Sequence, residues 1–500
     1  MSIKKVMNSI IIILTLGLIV GIGLFIYNTM SAYKISSDFI SIPLQYNPYD
    51  SSSTYDMPNA QIKVYGGFIK GIQKDKDGTN NLLIRALSPL PSIMVKGKIA
   101  STLPLVLENI NPDFYAKSIA SSGLSITKTK VNTLKLEIPI NVGESIVIKP
   151  VQTSDKDSSG KYKYIILGDN RDGYDTFGQI IQQVNGEKPV FVIDNGDLVY
   201  SGKPNQYRLF DNMVSHIEAT LCTTLGNHDI RRDGRSTYTE LYGPAYYSFD
   251  FQDSHFVFLD SSRGWAEAKS ISDEQYAWLE HDLINAQGKK IFVISHIPPT
   301  DPRRGTTPNL IANYIDQTKK TGGWVEQKLD NYSVSKSMNH GFQDVLEAAK
   351  FEKLMSTYHV DTVYLSHIHS YLEYTKGGVR YLISGGAGAE LLTENSYYHY
   401  MIAKIGDVKT ITMVELPSPK NNYLTRYSAT IQLFAEALYK ENPTSVILVI
   451  SSLILLILML MARFYLWKKR SIDTISRWLL DIGKYAVKRF KELFKDSDIK

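Results

Sequence analysis

Short apolar runs alternate with amphipathic stretches between residues 162 and 418. The runs have the length and composition of buried strands, and helical periodicity is clearest in SDEQYAWLEHDLINAQ (272–287) and GFQDVLEAAKFEKLMSTYH (341–359). The strand-like runs are YIIL (164–167), PVFVID (189–194), TLCTTL (220–225), HFVFLD (255–260), KIFVIS (290–295) and VDTVYLS (360–366). This alternation predicts a layered α/β core, to which a long polar segment at 300–340 adds a surface loop.

Residues 31–151 carry a different pattern. Runs such as QIKVYGGFI and TLKLEIPI are β-prone, lack helical periodicity and are separated by Gly, Pro, Asn and Asp. They predict a small all-β domain resembling a sandwich. No cluster of ligand-type side chains occurs in this part of the sequence, so we expect a support or spacer domain, joined to the core by the polar linker QTSDKDSSGK (152–161).

Two long apolar segments flank these domains. IIIILTLGLIVGIGLFIY (10–27) and VILVISSLILLILMLMA (446–462) carry no charge, and basic residues lie beside each. They predict transmembrane helices within 1–30 and 445–466. The positive-inside rule then places both termini in the cytoplasm and everything between the two segments outside it, in a two-pass protein of the cell membrane. A secretory signal peptide is the alternative for the first segment, and a core helix is the alternative for either.

The charge distribution argues against a nucleic-acid partner. Residues 467–500 hold ten Lys and Arg against five Asp and Glu, so the formal excess of +5 lies in this tail and the remaining chain is balanced. After a connector at 419–444 and the second apolar segment, residues 471–495 form a basic amphipathic pattern. It predicts a cytoplasmic helix lying on anionic lipid, with a dimerisation or partner helix as the alternative.

Metal-type side chains follow five of the predicted strands. Carboxylate, amide and imidazole ligands in this mixture suit a pair of Mn, Fe or Zn ions, which can clamp a phosphate between them. The residues are Asp169 in GDNR, Asp197 and Tyr200 in GDLVY, Asn227, His228 and Asp229 in GNHD, His296 in ISHIPP, and His367 and His369 in SHIHS.

Taken in this order, the motifs resemble those of the calcineurin-like metallophosphoesterases, in particular the purple acid phosphatase branch. The resemblance extends from about Tyr164 to Leu416 and implies a layered α-β-β-α fold. It implies that Asp197 bridges two metal ions, that Asn227, His296 and His367 complete one of them, and that Asp169 and His369 bind the other. It further implies that His228 stabilises the transition state or protonates the leaving oxygen, with Asp229 orienting His228.

One position departs from the commoner Asp-x-His pattern, because Arg171 occupies the place of that histidine. In the purple acid phosphatases the tyrosine of GDxxY binds the metal in place of that histidine. The resemblance therefore implies that Tyr200 is a ligand of the ion bound by Asp169 and that this ion is Fe(III). The alternative is that Tyr200 lies on the rim of the site. Arg171 either binds the substrate phosphate as a fork or forms an ion pair with Asp172 or Asp175.

Three further features lie near the motifs. Ser366 replaces the glycine usual in the last motif, while SGGAGAE (384–390) resembles a structural turn of the family. Arg303 and His340, at the two ends of the 300–340 segment, are candidate substrate contacts, with a solvated loop as the alternative for Arg303.

Together these patterns predict a membrane-anchored extracytoplasmic phosphoesterase that is similar to acid phosphatases. Its cofactors would be two metal ions, Fe with Mn, Zn or a second Fe, which activate a hydroxide. Its substrate would be a phosphorylated small molecule or lipid headgroup. A phosphodiesterase or pyrophosphohydrolase acting on lipid, nucleotide or cell-wall substrates is the alternative, as is a non-catalytic surface binding protein that keeps the fold.

Overall fold

The structure, a computed structural model, describes most of the chain outside several short segments and one longer one. The described residues are 12, 13, 15–23, 39–75, 77–115, 125–150, 161–263, 269–305, 340–391, 396–406, 408–417, 423–441, 443–467 and 472–495. They divide into two compact units, one formed by Lys34–Gln432 and the other by Met1–Tyr33 with Leu433–Lys500. The predicted linker, apart from its last residue, and most of the 300–340 segment lie outside the described residues.

The N-terminal part of the larger unit consists of two antiparallel-rich sheets. Their orders are β1-β5-β6-β8-β10-β9 and β11-β7-β4-β3-β2, and one hydrophobic cluster forms the core of this part. The alternation of apolar and polar residues along a strand explains how this core forms. In strand β10, Leu134, Leu136, Ile138 and Ile140 are buried, while Glu137 between them is exposed. The strands are β1 Phe39–Ser41, β2 Tyr46–Asn47, β3 Ser52–Asp56, β4 Ala60–Tyr65, β5 Gly67–Lys74, β6 Asn80–Ala86, β7 Ser92–Gly97, β8 Ser101–Glu108, β9 Ser125–Lys130, β10 Thr133–Ile140 and β11 Ser145–Ile148.

The following part has two mixed sheets, ordered β14-β13-β12-β21-β22 and β15-β16-β17-β18-β20-β19. A strand is present at each of the six runs predicted from the sequence, and a helix at both of the predicted amphipathic stretches. The strands are β12 Tyr162–Leu167, β13 Phe191–Asp194, β14 Thr220–Thr223, β15 Tyr247–Phe251, β16 Ser254–Leu259, β17 Lys290–Ser295, β18 Thr362–Leu365, β19 Tyr371–Lys376, β20 Val379–Ser384, β21 His399–Ile405 and β22 Thr410–Glu415. The helices are α1 Tyr174–Glu187, α2 Pro204–Val214, α3 Gly234–Tyr242, α4 Asp273–Asn285 and α5 Val345–Thr357.

Aromatic side chains fill the space between these two sheets. Tyr164 of β12 stacks on Phe191, and its hydroxyl hydrogen-bonds the hydroxyl of Tyr364 on β18 at 2.7 Å. Helices α4 and α5 pack on the outer face of the second sheet, where Trp278 and Phe351 are fully buried. The mixed α/β core predicted from the sequence is confirmed.

The β-rich part packs against this α/β part. Phe68 and Leu87 belong to the same hydrophobic cluster as the two mixed sheets. The side-chain amide of Asn109 pairs with the backbone of Leu221 in β14, an outer strand of its sheet. The β-rich part therefore supports the strand that leads to the GNHD motif.

The C-terminal segment is helical. Residues 419–444, predicted as a connector, contain helix α6 (Tyr423–Glu441), which is followed by α7 (Pro443–Trp467) and α8 (Ile472–Lys495). The helix predicted at 471–495 is thus present. Near the other terminus, residues 15–23 are helical, and Leu18 lies in a cluster with Leu456. Among the described residues, no helix has both the length and the apolar character required to cross a bilayer, and the two predicted spans are not confirmed.

Candidate metal centre

The predicted metal-type residues follow the carboxyl ends of parallel strands. Strands β12, β13 and β14 run parallel in one sheet, and β17 and β18 run parallel in the other. Because such ends share one edge of a sheet, residues distant in sequence meet there. Asp169, Asp197 and His367 have φ angles of 58°, 56° and 66°, an uncommon conformation for residues other than glycine that is frequent at functional sites.

Five of the predicted ligands form two linked groups. One donor atom each from Asp169, Asp197 and His369 lie within 4.8 Å of one another. His369 Nε2 is 3.5 Å from Asp169 Oδ1, and His296 Nε2 is 3.4 Å from Asp197 Oδ1. His296 Nε2 also lies 3.3 Å from the Asn227 side-chain oxygen. All five side chains are buried, so the structure brings these ligands together in an enclosed site.

Several donor atoms of this site lack hydrogen-bond partners. Within the described part of the chain, Asp169 Oδ1, Asp197 Oδ2 and His367 Nε2 are buried and have none. Buried polar atoms are normally satisfied, and leaving them unpaired is unfavourable. Bound cations would satisfy all three, because carboxylate oxygens and neutral imidazole nitrogens are metal ligands. The residues present therefore fit a metal centre.

A surrounding set of hydrogen bonds orients the ligands. His296 Nδ1 donates to the Asn195 carbonyl at 2.8 Å, and His369 Nδ1 donates to the Glu390 carbonyl at 2.5 Å. Because Nδ1 carries the proton in each neutral ring, Nε2 keeps its lone pair for a metal.

Asp169 is fixed by hydrogen bonds to one of its two carboxylate oxygens. Its Oδ2 accepts from the Ser366 hydroxyl at 2.6 Å and from the His367 amide at 2.7 Å. Burial opposes ionisation, but His369 and these hydrogen bonds hold the pKa of Asp169 below its usual range. The serine that replaces the usual glycine thus contacts a predicted metal ligand directly.

Arg171 lies inside the site and is 3% exposed. Its guanidinium contacts Glu390 Oε2 at 2.5 Å through Nη2 and His228 Nε2 at 2.8 Å through Nη1. Of the two alternatives for Arg171, the ion pair with Asp172 or Asp175 is not the contact observed in the described part of the chain, because Glu390 is the carboxylate that pairs with Arg171. Burial opposes the charge of Arg171, but the nearby carboxylates, Glu390 first, raise its pKa.

Glu390 was missed by the sequence analysis. It ends SGGAGAE, which was interpreted as a structural turn, and it is 219 positions from Arg171. A carboxylate directly after a glycine-rich turn that follows the HxH motif was the available signal. Its side chain is half exposed, so burial opposes its ionisation only in part, and the charge of Arg171 lowers the pKa of Glu390.

His228 and Asp229 do not interact as expected. Asp229 accepts hydrogen bonds from the amides of Gly226 at 2.8 Å and Val199 at 3.0 Å. His228 Nδ1 instead lies 2.5 Å from the Tyr200 carbonyl. The buried Asp229 side chain therefore ties the GDLVY and GNHD segments together rather than orienting the imidazole.

Both residues have shifted pKa values. Burial, followed by the charge of Asp197, raises the pKa of Asp229 to about 7. Burial lowers the pKa of His228 to about 3; Asp197 opposes the shift, and the positive charges of Arg171 and Arg231 add to it. His228 is therefore neutral in this structure.

Tyr200 occupies the rim. It is 46% exposed, in contrast to the buried predicted ligands, and its ring centroid lies 5.4 Å from that of His228. The Arg171 guanidinium lies 5.7 Å from the centre of the tyrosine ring. The structure thus favours the rim alternative over the predicted ligand role.

Arg303 and His340 meet at Asp301. Arg303 forms a two-point ion pair with this carboxylate at 2.9 and 2.8 Å, and the His340 amide donates to it at 3.1 Å. Arg303 is therefore engaged within the fold rather than lying in a solvated loop. The His340 ring centroid is 5.2 Å from that of His367, which places His340 next to the predicted ligands.

Residues 162–371 match the model of the calcineurin-like phosphoesterase family. This segment of the chain, about two fifths of its length, is therefore similar to the calcineurin-like phosphoesterases. The match begins at β12 and includes every predicted metal ligand. The sequence resemblance to the family is thereby confirmed.

Two similar proteins are phosphodiesterases by name. The glycerophosphodiester phosphodiesterase GpdQ of Enterobacter lignolyticus is 28% identical over 138 residues, which cover 24% of this chain and 46% of that protein. A cAMP/cGMP dual specificity phosphodiesterase of Mycobacterium tuberculosis is 26% identical over 151 residues, which cover 27% of this chain and 47% of that protein. The chain thus spans less than half the length of these curated relatives.

Solved structures are also similar. A purple acid phosphatase from yellow lupin (Lupinus luteus) seeds has a TM-score of 0.38 and 13% identity, with 76% of this chain and 75% of that chain covered. A dimetal phosphatase from Danio rerio has a TM-score of 0.34 and 12% identity, with 51% of this chain and 98% of that chain covered.

Proposed function

We propose that this protein hydrolyses phosphate esters at a dinuclear metal centre. The observation that carries the proposal is the set of buried donor atoms without partners, Asp169 Oδ1, Asp197 Oδ2 and His367 Nε2, at adjoining strand ends. Fixed, buried ligands of this kind hold cations in a defined position. The family match at 162–371 supports the same reaction class.

The residues divide between two ions as the family resemblance implies. Asp197 lies between the two groups, with His296 and Asn227 on one side and Asp169 and His369 on the other. His367 belongs with His296, whose ring centroid is 5.3 Å away. When bound, such ions lower the pKa of water and stabilise negative charge on a phosphoryl group. We propose Fe with Mn, Zn or a second Fe as the pair.

His228 is the residue we propose to act on the reacting phosphoryl group. Its amide donates to Asp197 Oδ1 at 2.9 Å, which fixes the backbone of the GNHD motif against a ligand. Its Nδ1 lies against the Tyr200 carbonyl, so the ring proton resides on Nδ1 and Nε2 carries the lone pair. A leaving oxygen can be protonated by His228 only after Nε2 has gained a proton.

We further propose that the protein is anchored to a membrane with its catalytic domain outside the cytoplasm. This proposal rests on the apolar segments 10–27 and 446–462 and on the basic tail, which would lie on anionic lipid. Protease added to intact cells should then cleave the catalytic domain. Complete protection under conditions in which an exported marker is digested would contradict this orientation.

The metal-dependent activity is tested on the purified full chain. After loading with Fe, Mn or Zn, we expect about two ions per chain and hydrolysis of an aryl phosphate monoester or diester. Asp197→Asn should lose both metal and turnover, and His228→Ala should lose turnover while retaining metal. His281→Ala is the matched control, because His281 lies exposed on α4, outside the predicted ligand set.

The result also separates the enzyme from the alternative functions. A loaded protein that hydrolyses only the diester would favour the phosphodiesterase alternative, to which the names of the two relatives correspond. A loaded protein that hydrolyses neither ester would favour a surface binding protein that keeps the fold.

A further inference from the structure

Two arginines converge on one nitrogen of His228. Arg171 Nη1 lies 2.8 Å from His228 Nε2, and Arg231 Nη2 lies 3.0 Å from the same atom. That nitrogen is 3.9 Å from Asp197 Oδ2, one of the predicted metal-binding oxygens. Both guanidinium groups therefore reach the edge of the metal centre.

One imidazole nitrogen cannot satisfy two guanidinium groups. A neutral imidazole offers a single lone pair, whereas each guanidinium carries five N–H donors. The donor excess is explicit at Arg171, because its buried Nε has no hydrogen-bond partner among the described residues. The site thus presents more buried positive donors than its own side chains can satisfy, which is a property of an anion-binding site.

The two arginines differ in their charge balance. Arg171 pairs with Glu390, whereas no carboxylate in the described part of the chain lies in ion-pair contact with Arg231. Arg231 begins a short 3-10 turn, Arg231–Asp233, one residue after the end of the GNHD motif, so the backbone places it beside His228. Glu390 therefore offsets the charge of Arg171 but not that of Arg231. An anion bound at this position would offset the charge of Arg231.

We propose that Arg171 and Arg231 together bind the phosphoryl oxygens of the substrate, and that Arg231 favours a terminal phosphate monoester over a diester. The proposal rests on the phosphoesterase function proposed above. It adds Arg231, which is outside the predicted site residues, and it names a substrate class.

The preference for a monoester follows from charge and from the number of free oxygens. A phosphate monoester near neutral pH carries close to two negative charges and three non-bridging oxygens, whereas a diester carries one charge and two such oxygens. Two guanidinium groups beside two metal ions interact more strongly with the group that has the larger charge and the additional acceptor. When phosphate binds, both arginines would donate to phosphoryl oxygens instead of to His228 Nε2, which would leave this nitrogen free.

Binding of inorganic phosphate to the metal-loaded full chain, measured by calorimetry, tests the arginine contact without turnover. Arg231→Gln should weaken phosphate binding by about 10- to 100-fold, the effect of losing a charged hydrogen bond. Arg231→Lys keeps the positive charge but loses the two-point guanidinium geometry. Its affinity for phosphate should therefore lie between those of the wild type and Arg231→Gln. Arg232→Gln is the matched control, because this exposed neighbour loses the same charge, and it should change binding less than 3-fold.

Hydrolysis of p-nitrophenyl phosphate and bis(p-nitrophenyl) phosphate then tests the substrate preference. Arg231→Gln should lower kcat/KM for the monoester at least 10-fold more than for the diester. Equal losses for the two esters would overturn the preference, and unchanged phosphate binding in both Arg231 variants would overturn the contact. If the wild type binds phosphate but hydrolyses neither ester, the proposed hydrolase function fails. The contact between Arg231 and phosphate is then still tested by the binding data.

Discussion

Asn109 binds Leu221 through both ends of its side-chain amide. Its Nδ2 donates to the Leu221 carbonyl at 2.8 Å, and its Oδ1 accepts from the Leu221 amide at 2.9 Å. Asn109 has a φ of 62°, a left-handed conformation that asparagine adopts more readily than most residues. The side chain thus takes the place of a neighbouring strand at the edge of β14, six residues before Asn227.

Replacing Asn109 by alanine should destabilise the larger unit, Lys34–Gln432. The change leaves a buried N–H and a buried C=O of Leu221 without partners, which costs about 2–4 kcal/mol of the free energy of unfolding. Asn141→Ala is the control, since Asn141 is exposed and its side chain binds only Glu144 among the described contacts. Denaturant unfolding of both variants measures the difference, and equal stabilities would contradict a supporting role of the β-rich part.

His255 should make stability depend on pH in the alkaline range. Its Nδ1 and Nε2 contact Asp250 Oδ1 and Asp282 Oδ2, each at 2.8 Å, and Lys289 pairs with the other oxygen of Asp250. Burial opposes the charge, but the hydrogen bonds to the two aspartates raise the pKa of His255 to about 9. The stabilisation is therefore complete below about pH 6.5 and is lost as the pH rises through about 9.

We expect this group to contribute about 2 kcal/mol, a value reduced for the solvent exposure of Asp250. His255→Gln should flatten the decrease in the free energy of unfolding between pH 6.5 and 9.5, whereas the exposed His281→Gln should leave it unchanged. Parallel pH profiles for wild type and His255→Gln would show that His255 is not charged in the folded protein.

Glu390→Gln should weaken metal binding. The carboxylate of Glu390 offsets the charge of Arg171, and its loss leaves an uncompensated cation close to the predicted ligands. At an effective dielectric constant near 20, a unit charge roughly 10 Å from a divalent cation changes the binding free energy of that cation by about 3 kcal/mol, and solvent screening of the half-exposed Glu390 reduces this to about 1.5 kcal/mol. We therefore expect roughly 10-fold weaker binding of Mn(II) or Zn(II), measured by competition with a chelator.

Glu373→Gln is the matched control, because Glu373 forms an ion pair with Arg380 at the β19–β20 hairpin, outside the predicted ligand set. An equal effect of the two changes would indicate a general charge effect. No effect of Glu390→Gln would mean that Arg171 leaves the ligands when metal binds.

Tyr200→Phe should leave metal content and the visible spectrum unchanged. A phenolate bound to Fe(III) produces a strong charge-transfer absorption, but the exposed ring of Tyr200 lies beside His228 and Arg171. The iron-loaded wild type should accordingly lack this absorption. A visible band in the wild type that disappears in Tyr200→Phe would restore Tyr200 as a ligand.

The sequence by itself predicted most of the α/β core and the positions of the metal-type residues. The six apolar runs form strands because a strand in the middle of a layered α/β core is buried on both faces and is therefore apolar along its whole length. Asp169, Asp197, Asn227, His296 and His369 follow such runs directly, so their meeting at the sheet edges follows from local pattern and general topology.

Only the tertiary structure decided how the charges of the site are paired. Glu390 rather than Asp172 neutralises Arg171, Arg231 joins Arg171 at His228, and Asp229 binds backbone amides. Asn109, 112 positions from Leu221, completes a strand edge in the same way. No periodicity records these contacts, because each depends on where loops of different length bring side chains that are distant in sequence. Hydrophobic pattern is a local property of a chain, whereas the partner of a buried charge is set by the packing of the whole fold.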